Sequence, residues 1–138
     1  MKLSKEDMDK KMDEHFGYEA SNDVEGVVST LAPDVIHDIV GSPTGPTIGP
    51  EKAHAFYEKA FADFEDGKVT TVKRLYGENF LVDESVWEGT AAGKPFGIEG
   101  KGRHLKFRLL HVLEFAEDGL IKRENLWVDL AAIIQQLP

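Results

Sequence analysis

The sequence predicts an α+β domain, with helices packed on one face of a curved, mostly antiparallel sheet. Two patterns and their order along the chain carry that expectation. Residues 4–20, 23–31 and 50–64 place apolar side chains three and four positions apart, as helices do. Leu105, Phe107, Leu109, His111, Leu113 and Phe115 instead recur every second residue, as on a strand with one face against a core. Helical patterns early in the chain and hairpin-linked strands later give segregated layers. No internal repeat, linker or low-complexity tract interrupts residues 1–138, so one domain is expected.

Composition narrows the function. Twenty-five acidic residues against sixteen basic ones leave a net charge of -9, which repels nucleic acid and anionic membrane. Cysteine is absent, which excludes disulfides, thiolate metal sites and a cysteine nucleophile. No apolar run is long enough for a membrane span, and the N-terminus is charged rather than signal-like, so a cytoplasmic protein is expected.

Each element has its own justification. Ser4 is placed to cap the first helix, Glu6 and Asp7 suit its positive end, and Met8, Met12, His15 and Phe16 form its apolar stripe. On that stripe His15 reads as a satisfied core-edge histidine. Val24, Val27, Val28 and Leu31 give a second helix over residues 23–31, closed by Pro33. Residues 35–40 read as a strand on which His37 shares a face with Val35 and Ile39. A Gly- and Pro-rich stretch over 41–50 ends with Pro50 at the first position of the next helix. That helix, residues 50–64, has the strongest amphipathic stripe: Ala53, Phe56, Tyr57, Ala60, Phe61 and Phe64. Tyr57 is its one member with a hydroxyl to satisfy, which makes it a candidate donor to a ligand.

Strands follow over 68–76 and 80–90. The second carries Asp83, Ser85 and Trp87 on one face and Val82, Glu84, Val86 and Glu88 on the other, which leaves its orientation open. Residues 91–102, with four glycines around Phe96, read as a flap; they lead into a strand, not a helix, which rules out a phosphate loop. Around the flap, Lys94, Lys101, Arg103, His104, Lys106 and Arg108 concentrate basic charge. Lys106 and Arg108 alternate outward, whereas Lys101 and Arg103 are placed to meet an acidic substrate.

The last hairpin carries the functional expectation. Glu117-Asp118-Gly119 suits a three-residue loop, which would set Phe115 opposite Ile121 and His111 opposite Asn125. In that register His111, Asn125, Trp127 and Asp129 share one wall, and Glu124 falls on the other face as an exposed or interface acid. Asp129 also stands directly before Leu130, where it would cap the terminal helix built on Leu130, Ile133, Ile134 and Leu137.

Asp118-Gly119, the run from Glu124 to Asp129 and the run from Ile133 to Leu137 together resemble the SnoaL-like polyketide cyclases. These are a branch of the superfamily of nuclear transport factor 2 and ketosteroid isomerase. The resemblance spans nearly the whole chain. It implies a cone formed by a strongly curved sheet and closed by the N-terminal helices, usually dimeric through the sheet, with cofactor-free acid/base chemistry inside. It also implies that Asp129 is the acid/base residue and that His37 is a pocket histidine. A carboxylate in such a cone is pushed toward a useful pKa, with His111 or His37 to relay the second proton. Tyr57 and Asn125 would donate to an enolate oxygen, and Trp127, Trp87 and Phe16 would line the substrate site. No metal is needed for this chemistry, and the five histidines show no paired ligand spacing. Three readings stay open on these residues: proton transfer next to a carbonyl of a small apolar oxygenated substrate, hydrolysis or dehydration in the same cavity, and a non-catalytic binding or dimerisation module.

Overall fold

The structure, a computed structural model, describes residues 2–138. Helix α1 (Lys5–Ala20) begins where Ser4 and Asp7 cap each other reciprocally, Ser4 Oγ accepting from the Asp7 amide at 3.0 Å. It buries Met8, Met12 and His15. Helix α2 (Val24–Ser29) is capped by Asp23 and ends at Thr30, earlier than its apolar spacing suggests, because Leu31 opens the first strand. That strand, β1 (Leu31–Val40), picks up a two-residue antiparallel partner, β2 (Thr47–Ile48), from inside the Gly- and Pro-rich stretch. Helix α3 (Pro50–Asp63) follows with Pro50 in its first turn.

The rest is sheet: β3 (Phe64–Gly77), β4 (Phe80–Ala91), β5 (Arg103–Phe115) and β6 (Ile121–Val128), closed by α4 (Leu130–Gln136). A 3-10 turn, Pro95–Gly97, sits in the glycine-rich connection between β4 and β5. The sheet order is β2-β1-β6-β5-β4-β3, with β1 and β6 parallel and every other neighbour antiparallel. The molecule is therefore α+β, with four helices and a curved mixed sheet that does not close on itself.

Bulges bend the sheet. Strand β3 starts directly after α3, not at residue 68, and its pairing with β4 slips between Glu65 and Lys68 around Asp66-Gly67. Gly67 is required there: a Cβ would stand 2.5 Å from the Trp87 indole, which lies against this bulge. On β4 the open question of orientation resolves inward for Asp83, Ser85 and Trp87, and Trp87 stacks on Phe107 with ring centres 5.3 Å apart.

A second bulge corrects the hairpin register. Phe115 does face Ile121, but the pairing slips by one residue between Glu114 and Phe115, so that His111 faces Leu126 and not Asn125. Lys122 is the extra residue. Beyond it every side chain of β6 changes face relative to a regular hairpin. Glu124, Leu126 and Val128 turn inward, and Asn125 and Trp127 turn out.

Candidate active site

Each inward residue is set by its strand partner. On the concave face Ile39, Leu126, His111, Asp83 and Arg74 form one row across five strands, and His37, Glu124, Leu113 and Leu81 form the next. Helices α1 and α3 lie over these rows and add His15, Phe16, Glu19, Phe56 and Tyr57. Between helices and sheet is a cavity of about 470 Å³, lined mostly by aromatic and aliphatic side chains, with Glu19, Tyr57, His111 and Glu124 among them. A second space of about 530 Å³ shares the walls Ile39, Phe56, Ala60, Phe64 and Phe96 with it and is lined in addition by His37.

Glu124 is the centre of the polar part and is 1% exposed. Its carboxylate accepts from the Tyr57 hydroxyl at 2.8 Å and from His15 Nε2 at 3.0 Å. His37 Nε2 lies 3.4 Å from the same carboxylate without an aligned hydrogen bond. Glu19, one turn after His15, places a carboxylate oxygen 3.3 Å from His15 Nε2. The His15 tautomer follows from its other side: Thr30 Oγ1 gives its own proton to the Val27 carbonyl at 2.6 Å, so Nδ1–H of His15 donates to Thr30 at 2.9 Å.

The electrostatics match. Burial pushes His15 down, but the carboxylates of Glu124 and Glu19 outweigh it and raise the imidazole to about 9. Burial likewise opposes ionisation of Glu124, yet the His15 cation holds its carboxyl well below the usual range. Glu19, desolvated and repelled by Glu124, rises to about 7 although His15 and His37 pull it down. Burial and the Glu124 charge lift the Tyr57 phenol well above its ordinary value. His111, whose desolvation outweighs the pull of Glu124 and Asp83, falls to about 4 and is neutral at pH 7. Phe16 meets it edge-on at 5.0 Å, and its Nδ1 has no hydrogen-bond partner among the described residues.

The residues singled out from sequence divide between two places. His37, His111, Tyr57, Trp87 and Phe16 are brought to the cavities. Tyr57 donates to Glu124, so its hydroxyl is already engaged. Asp129, Asn125 and Trp127 stand elsewhere, because the Lys122 bulge inverts their strand. Asp129 caps α4 through the Ala132 amide at 3.2 Å and pairs with exposed Arg108 at 3.4 Å. Asn125 donates to Asp38 and accepts from Arg123 on the convex side, and Trp127 is 40% exposed. At the start of β5, Arg103 is tied to the backbone oxygens of Glu99, Gly100 and Pro138.

Sequence reasoning missed Glu124, His15 and Glu19 as a group. One signal was present: Ile121 and Leu126 are five apart, an odd spacing, so no unbulged strand buries both on one face. Trp127, in phase with Ile121, concealed it.

A curved open sheet with helices packed over an ionisable, aromatic-lined cavity has the nuclear transport factor 2-like fold. The chain belongs to the SnoaL-like polyketide cyclase family, whose model matches residues 6–137. Solved structures share the fold. A candidate SnoaL-like polyketide cyclase from Jannaschia sp. CCS1 superposes with a TM-score of 0.85 at 15% identity, covering 99% of this chain and 96% of its own. A candidate polyketide cyclase from Silicibacter sp. TM1040 gives 0.80 at 20% identity, covering 99% and 98%. A Catenulispora acidiphila protein with a ketosteroid isomerase-like fold, in complex with trimethylamine, gives 0.76 at 14% identity, covering 92% and 91%. At such identities the likeness carries the fold alone. Comparison with curated proteins gives no match. Among the described residues no helix is long and apolar enough to cross a membrane.

Proposed function

We propose that the chain is an acid/base enzyme of the cyclase/isomerase type, moving a proton next to a carbonyl of a small, apolar, oxygenated substrate. The observation that carries this reading is the placing of three buried ionisable side chains, His37, Glu124 and His111, on the walls of two adjoining, aromatic-rich cavities. Glu124, 3.4 Å from Nε2 of His37, favours the tautomer with the proton on that nitrogen. Nδ1 of His37 then keeps its lone pair and acts as the base, with Glu124 as the nearby charge that favours this tautomer. His111, neutral and two strands away on the same concave face, lines the adjoining cavity and donates an N–H to the oxygen that gains charge as the enolate forms. Phe16, Trp87 and the ring of Tyr57 hold the apolar body of the substrate. Only side chains take part in these steps. We place the dimer contact on the convex side of the sheet, away from the cavity.

The test is enolisation. A panel of polycyclic aromatic ketones in D2O is followed by NMR for deuterium uptake beside the carbonyl. Uptake above the solvent rate is expected, with His37→Gln losing about 100-fold. Tight binding without uptake supports a binding module instead. A loss in Asp129→Asn equal to that of His37→Gln would return the proton to Asp129, as the family resemblance implies, and overturn the assignment.

A further inference from the structure

We infer that His15, Glu19 and Glu124 form a binding site for a first-row divalent cation such as Zn2+, with one position open to the cavity. Nothing in the proton-transfer reading requires a metal here, although both involve Glu124 and the approach of His37 to it.

The first is the direction of the His15 lone pair. Nδ1–H is committed to Thr30, whose own proton is committed to Val27. Nε2 therefore faces the carboxylates of Glu124 at 3.0 Å and Glu19 at 3.3 Å either as a cation or as a bare lone pair. A bare lone pair against two carboxylates is repulsive. A proton relieves that repulsion, and so does a divalent ion placed between the three ligand atoms.

The second is the size of the gap. Ligands about 2.0–2.1 Å from a tetrahedral zinc stand roughly 3.3–3.4 Å from one another. The 3.3 Å separation from His15 Nε2 to Glu19 matches such an edge, the 3.0 Å one to Glu124 is a little shorter, and the three ligand atoms all lie within 4.8 Å of one another.

The third is the surroundings. Thr30 fixes the ring from its Nδ1 side, the kind of outer partner that orients a metal-bound histidine. His37, 3% exposed, aims an Nε2 without a hydrogen-bond partner among the described residues at the other oxygen of Glu124. Oε1 of Glu19 is buried and likewise lacks a hydrogen-bond partner among the described residues. Tyr57 brings its hydroxyl to 3.4 Å from His15 Nε2, at the edge of the open position. One imidazole and two carboxylates suit zinc, iron or manganese in preference to copper(I), which favours sulfur.

The experiment uses the full chain, stripped with a chelator and dialysed, titrated with Zn2+ by calorimetry and with Co2+ by visible absorption. One saturable equivalent is expected, with cobalt bands typical of low coordination number. Glu19→Gln is the chief variant because it is isosteric and at the rim of the cluster. It is expected to weaken binding at least tenfold while circular dichroism shows an unchanged fold; Glu19→Ala serves the same purpose if it does not fold. His54→Gln is the control, since His54 with Glu25 and Glu58 makes an exposed cluster able to take up metal by chance. No saturable binding, or binding lost in His54→Gln and kept in Glu19→Gln, overturns the inference.

Discussion

Glu124 stands directly across from Leu113, where a regular hairpin would have set it across from Val112. That one-residue difference puts a buried carboxylate among His15, His37 and Tyr57 and turns Asp129 away from them.

Removing the Glu124 charge leaves the His15 cation without its main partner. Glu124→Gln is expected to lower stability by about 3 kcal/mol, the scale for breaking a buried ion pair. Urea unfolding at pH 7 measures it, and a midpoint unchanged from wild type contradicts the ion pair.

His111 supplies a pH dependence whose sign is fixed by burial. Its pKa falls from 6.5 unfolded to about 4 folded, so the unfolded chain binds the proton first. The stability it contributes is complete above pH 6.5 and is lost as pH drops from there toward 4, up to about 3 kcal/mol. Denaturation curves of wild type and His111→Gln should differ in slope across that window and run parallel above it.

Arg74 neutralises Asp83, which is fully buried, at 2.7 Å, and also reaches Asp9 and Asp13 on α1. Arg74→Leu is expected to cost about 3–5 kcal/mol by stranding that charge. Adding Asp83→Asn in the same chain should recover a large part of it, and a double mutant no better than Arg74→Leu alone would contradict the pairing.

On the convex face Val40, Trp127 and Leu110 are paired neighbours on three adjacent strands, each more than a third exposed. With the dimer placed there, Trp127→Glu should convert a sedimenting dimer to monomer without loss of secondary structure. A wild-type chain that sediments as a monomer at all accessible concentrations removes that contact.

Asp129 caps a short helix, so Asp129→Ala should cost about 1 kcal/mol and Asp129→Asn much less, since Asn caps as well as Asp does. Thermal unfolding of the two variants side by side tests the cap.

The sequence by itself determined most of the elements, though not β2, the start of β1 at Leu31 or the start of β3 at Phe64. Helices α1 and α3 and strand β5 were legible because their apolar periods are local, and Ser4, Pro50 and Gly119 mark boundaries through their own backbone chemistry. The aromatic stripe of α3 and the inward His37 and His111 were legible for the same reason. Tertiary structure decided which face of β6 is buried. The Lys122 bulge answers to pairing with β5 on one side and parallel β1 on the other, and no single segment holds that information. Tertiary structure alone brought His15 to Glu124, 109 residues later in the chain. A histidine at helical spacing looks the same from sequence whether its neighbour in space is a carbonyl or a carboxylate, and only the folded sheet supplies that neighbour.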